Sequence, residues 1–93
     1  MTYSNIPQKA LTNATLLMFA NFSGGEFINL TRLHKPYAGG KNFLVRTSST
    51  TTNEHRFFNN IQDAEKYFGE LLYSWNHHKE LTETRKLTQN YNQ

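Results

Sequence analysis

Through the first sixty residues the chain alternates short apolar runs with breaks rich in glycine, serine, threonine and asparagine. Runs of this length, dense in Phe, Ile, Val and Thr and closed by such breaks, predict strands. They place strands over 15–22, 26–34 and 41–47, with a short fourth over 54–59. Ser23-Gly24-Gly25 reads as the turn of a hairpin, because glycine supplies the positive φ such turns need. Residues 35–40 form a longer connection, and the Ser/Thr-rich run 48–53 a strand end and turn. Strands joined by short connections favour antiparallel pairing.

After residue 60 the period changes. On a helical wheel Ile61, Ala64, Phe68, Leu71, Leu72 and Trp75 fall in one arc about 100° wide, the stripe of a helix lying on a sheet. Asn60 is placed to cap this helix, with Asp63 at its third position. His77, His78 and Lys79 follow the stripe, where the helix dipole favours cations. The main helix is therefore expected from Asn60 to Trp75. Beyond Trp75 the stripe fails, because Lys79 would enter the apolar arc and Leu81 would lie opposite it. Residues 76–87 then form either a short extra C-terminal helix at an angle or an extension that packs elsewhere; the pattern leaves both open. The expected fold class is α+β, a small antiparallel sheet of three to four strands packed against one main amphipathic helix. Ninety-three residues fit a single domain over 1–93. Residues 1–8 and 88–93, polar and aperiodic, read as loose tails.

The strands are apolar on both sides. Successive strand residues point to opposite faces, yet Leu16-Leu17-Met18-Phe19, Phe43-Leu44-Val45 and Phe57-Phe58 carry large side chains at every position. Phe27 and Leu33 likewise oppose Ile28 and Leu30. One helix covers one face, and monomers rarely leave more than a few hundred Å² of contiguous apolar surface in water. Three covers for the second face follow. The chain's own ends, around Ile6 to Leu11 or Leu81 to Leu87, fold over it; two copies stack through their sheets as a homodimer; or a partner macromolecule docks there.

Composition narrows the chemistry. The absence of cysteine excludes disulfide scaffolds and thiolate sites. No signal-type segment opens the chain, and the longest fully apolar run, 16–20, is too short to span a bilayer. A cytoplasmic protein with no membrane partner is expected. The net charge of +3 is mild, but it is unevenly spread. Arg32, Lys35, Lys41 and Arg46 fall in a stretch without an acid, whereas Asp63, Glu65, Glu70, Glu80 and Glu83 gather in the last third against Lys66 and Lys79.

Catalytic and metal signatures are missing from the pattern. His77 and His78 are adjacent and diverge on a helix, and His34 and His55 sit on different strands, so no metal site is expected. No nucleophile elbow, phosphate loop or dinucleotide fingerprint occurs, and Gly24-Gly25 and Gly39-Gly40 are turn signals. Neither catalysis nor a cofactor is expected. Binding remains. Phe27, Phe43, Tyr37 and Phe57 or Phe58 could stack unpaired bases, with Arg32, Lys41, Arg46 and Arg56 on phosphates. Tyr37, Tyr73 and Tyr67 are of the type that protein interfaces favour, and Tyr73 lies on the polar side of the helix wheel. The candidate contact residues are thus Arg32, Lys35, Tyr37, Lys41, Arg46, Arg56 and Tyr73.

In size, in a few strands followed by one amphipathic helix, and in the lack of an active-site motif, the chain resembles the small inhibitor proteins of phages and mobile elements, anti-CRISPR proteins among them. The likeness implies a protein that occludes a nucleic-acid-binding or catalytic surface of a large host complex, in the host cytoplasm, and it transfers no residues. The expected function is a non-catalytic protein-binding domain, an inhibitor of a host defence or nucleic-acid-processing complex. The alternative is a small RNA- or single-strand-binding domain that uses a basic, aromatic sheet face.

Overall fold

The computed structural model describes residues 14–87, the side chains of residues 36–38 excepted. The expected tails and the Ile6 to Leu11 cover lie outside these residues. The strands are β1 (Ala14–Phe22), β2 (Glu26–Tyr37), β3 (Lys41–Ser48), β4 (Asn53–Phe58) and β5 (Leu81–Lys86), and the helix α1 spans Ile61–Asn76. All strand pairs are antiparallel, in the order β4-β3-β2-β1-β5. The sheet thus has five strands rather than three to four. β1 to β4 form a meander, and α1 then carries the chain from one edge of the sheet to the other.

The first four strands follow the sequence pattern closely. Gly24 and Gly25 both adopt positive φ, 84° and 77°, in the β1–β2 turn. The Ser48 to Asn53 run closes β3 onto β4 through Ser49, whose N–H donates to Thr52 O at 2.8 Å. Asn60 caps α1 as expected: its Oδ1 accepts from the Asp63 N–H at 2.8 Å, and its Nδ2 donates to Asp63 Oδ2 at 3.1 Å. The first of these bonds meets a helix N–H that would otherwise lack a partner.

The C-terminal segment is a strand, which overturns the short extra helix and equally the idea that 81–87 covers the second face. β5 lies beside β1 in the plane of the sheet. Thr82 and Thr84 donate their hydroxyls to Asn21 O and Phe19 O at 3.0 and 2.9 Å. The Leu87 N–H donates to Leu17 O at 2.7 Å, and the Ser23 N–H to Glu80 O at 2.9 Å. The outer backbone groups of β1 required partners, and that demand outweighed the helix propensity of a Lys/Glu/Arg-rich segment.

Beneath α1 lies the core: Leu17, Ala20, Phe22, Ile28, Leu30 and Val45 from the sheet, with Ala64 and Phe68 from the helix. Ile61, Leu71, Leu72 and Trp75 of the expected stripe pack around it, joined by Tyr67. A register shift between Leu16 and Met18 marks a bulge in β1. It lets Leu17 join the core although Met18 and Ala20 share that side. An apolar four-residue run is thereby reconciled with a two-fold repeat.

The face away from α1 is not an exposed apolar surface. Its register gives a row of Leu16, Leu44 and Phe57 interrupted by the buried Thr31, with Leu33 beyond it. Leu44 is 0% exposed and Leu33 4%. The next row, across all five strands, is Arg85, Phe19, Asn29, Arg46 and His55, and the one after is Glu83, Asn21, Phe27, Ser48 and Asn53. Among the described residues the exposed large hydrophobics are Tyr73 and Leu87. An uncovered greasy face, the reason for expecting a docking surface there, is therefore not found.

Candidate binding surfaces

The contact residues expected from sequence fall in four places. Arg32, Lys35 and Lys41 gather where β2 meets β3, at the end of the sheet away from the β1–β2 turn. Arg46 lies on the far face between Asn29 and His55. Arg56 stands on the helix side of β4, and Tyr73 is 72% exposed on the outer side of α1, its ring 4.6 Å from that of His77. Of Tyr37 the backbone is placed, paired with Lys41. The seven residues do not form one patch.

The cationic end has a specific geometry. Arg32 pairs with Phe43 and Tyr37 with Lys41, so residues 33–36 of β2 stand against Asn42 alone. The strands part, and Gly39, at φ 76°, lets the three-residue turn Ala38–Gly40 close the loop. The opening is a groove of about 360 Å³ lined by Arg32, Leu33, His34 and Asn42. Asn42 Oδ1 is buried in it without a hydrogen-bond partner among the described residues. His34 is engaged with Thr15 Oγ1 at 2.7 Å. Among the described residues no carboxylate pairs with Arg32, Lys35 or Lys41.

A second groove, about 370 Å³, runs between β4 and α1 and is lined by Arg56, Phe57, Phe58, Asp63, Lys66, Tyr67 and Glu70. The Arg56 guanidinium lies 4.9 Å from the Tyr67 ring centroid and 5.6 Å from that of Phe58. The two rings are 5.4 Å apart. A guanidinium over aromatic faces is attracted by their quadrupoles. Sequence reasoning passed over the Arg56–Phe58–Tyr67 cluster as a unit. Its signal was present: Arg56 and Phe58, two apart, share a strand face, and Tyr67 sits one turn before Leu71 at the margin of the helix stripe.

At the opposite end a clasp of Glu26, Lys79 and Thr50 was invisible in the sequence. Glu26, buried, accepts from Lys79 Nζ at 2.9 Å and from the Thr50 N–H at 2.8 Å. Lys79 also sits 5.0 Å from the Trp75 ring, which packs 5.3 Å from Phe22. The Lys79 ammonium, followed by the Thr50 N–H, holds the Glu26 carboxyl below its ordinary range, although burial opposes them. A lowered folded-state pKa stabilises in full above the ordinary carboxylate value of 4.5 and is lost as pH falls below it. Glu26→Gln should therefore lower the melting temperature at neutral pH and narrow its gap to the native protein on acidification. A gap that stays constant from pH 7 to 3 would refute the clasp.

Among the described residues no three His, Asp or Glu side chains converge as metal ligands, and no helix is long and apolar enough to cross a membrane. No protein-family model, curated protein or solved structure matches the chain.

Proposed function

We propose that this chain is a non-catalytic protein-binding domain whose contact surface is the cationic end where β2 and β3 part. The observation that carries this reading is the groove there. Arg32 lines it with Leu33, His34 and Asn42, Lys35 and Lys41 stand on the strands beside it, and among the described residues none of the three cations has a carboxylate partner. Such an end is suited to an acidic, hydrogen-bonding surface, since complementary charge speeds encounter and fixes orientation. The role is that of an inhibitor, of the kind phages and mobile elements direct against host defence or nucleic-acid-processing complexes.

Nucleic acid is the second reading, favoured by the row Arg85, Phe19, Asn29, Arg46 and His55 across the far face. Cations and a ring in one line can follow a single strand. Two measurements separate the readings. Partner capture from host extract after nuclease treatment, lost in an Arg32→Glu, Lys35→Glu, Lys41→Glu variant of unchanged melting temperature, supports protein binding. Oligonucleotide binding that weakens steeply with salt and vanishes with Arg46→Glu supports the alternative. A variant that retains full capture would sink the first reading.

A further inference from the structure

The two edges of the sheet differ. β5 carries its charges already spent: Arg85 Nε pairs with Glu83 at 3.1 Å, and Lys86 with Glu65 at 3.6 Å. β4 does not. Glu54 and Arg56 are exposed, on the same face of the same strand, and neither has an ion-pair partner among the described residues. Arg56 turns away from Glu54 to lie over Phe58 and Tyr67. The β4 edge presents a row of backbone groups that β3 does not meet.

We infer that β4 is the edge through which two copies of this chain pair, antiparallel, into one continuous ten-stranded sheet. An antiparallel pair related by a two-fold axis through the sheet keeps each face, so residues of like orientation must stand opposite one another. Two registers then use most of this six-residue strand. Centred on Arg56, the first sets the two guanidinium groups against each other. Centred on His55, the second sets Glu54 opposite Arg56 of the other copy, twice, and Asn53 opposite Phe57. Charge complementarity selects the second. In it both helices lie on the same side, so the grooves beside Phe58 and Tyr67 face one another across the seam and the half-buried rings gain cover. This assembly is separate from the cationic end; loss of either leaves the other intact.

Sedimentation of the full chain over a range of about 1–300 μM tests it, bracketing the micromolar affinities of small interfaces. The native protein should pass from monomer to dimer. Glu54→Arg and Arg56→Glu, each of which sets like charges opposite twice, should weaken the dimer roughly tenfold or more. The double variant E54R/R56E should restore it, a rescue that a merely structural role for either residue does not produce. Thermal melts confirm that each variant is folded. Because the chain has no cysteine, His55→Cys offers an independent check. It should form a disulfide-linked dimer on oxidation, whereas Thr84→Cys on the opposite edge should not. A strict monomer at every concentration, or a dimer indifferent to both single reversals, overturns the inference.

Discussion

Phe68→Ala should cost about 3–5 kcal/mol, the usual range for truncating a buried ring. Phe68 is 1% exposed and, with Ala64, is one of the two helix residues sunk fully into the core. The flanking stripe residues, Ile61, Leu71, Leu72 and Trp75, are only half-buried, so they cannot close over the space left behind without lifting α1 from the sheet. Set against a total stability of roughly 5–15 kcal/mol for a small domain, such a loss lowers the melting temperature by at least about 12 °C. Urea melts of the variant beside Leu72→Ala check it. Leu72→Ala should lose clearly less, and equal losses would mean that α1 does not seat on Phe68.

The second large effect concerns the other side of the sheet. Leu44 points away from α1, between Thr31 and Phe57, and is fully buried. Its truncation to Ala should cost about 2–5 kcal/mol, as much as a residue under the helix. On a sheet with one wetted face the same change would cost a few tenths of a kcal/mol, as surface substitutions do. Lys41→Ala, exposed on the same strand, is the control for that smaller value. A near-neutral Leu44→Ala in equilibrium urea unfolding would return the far face to solvent and reopen it as a docking surface.

The parts of the fold that announced themselves are those in which local pattern and tertiary role agree. The stripe from Ile61 to Trp75 and the Asn60 cap define α1 because the helix has one buried side and one wet side. β1 to β4 were bounded by glycine and by Ser/Thr runs that do form turns. β5 had no such mark: Thr82, Glu83, Thr84, Arg85 and Lys86 are all exposed, so no alternation of apolar and polar residues could arise, and only the needs of β1 make the segment a strand. The candidate contacts divide in the same way. The proximity of Lys35 to Lys41 follows from a short connection, but the separation of Arg46 from Arg32 onto opposite faces depends on register. The clasp of Glu26 with Lys79, 53 positions apart, is decided entirely by where α1 ends.

The route of α1 across the sheet also orders events in time. β1 pairs with β5 across about sixty residues or more, Met18 standing beside Lys86, whereas β1 to β4 are joined by brief turns. As the chain leaves the ribosome the meander can close early, while the outer side of β1 waits for β5 (Leu81–Lys86) to follow. Distant pairings of this kind are slow to form, and an unsatisfied strand border is where nascent chains stick to one another. The polar, self-neutralised border that β5 supplies replaces that adhesive one.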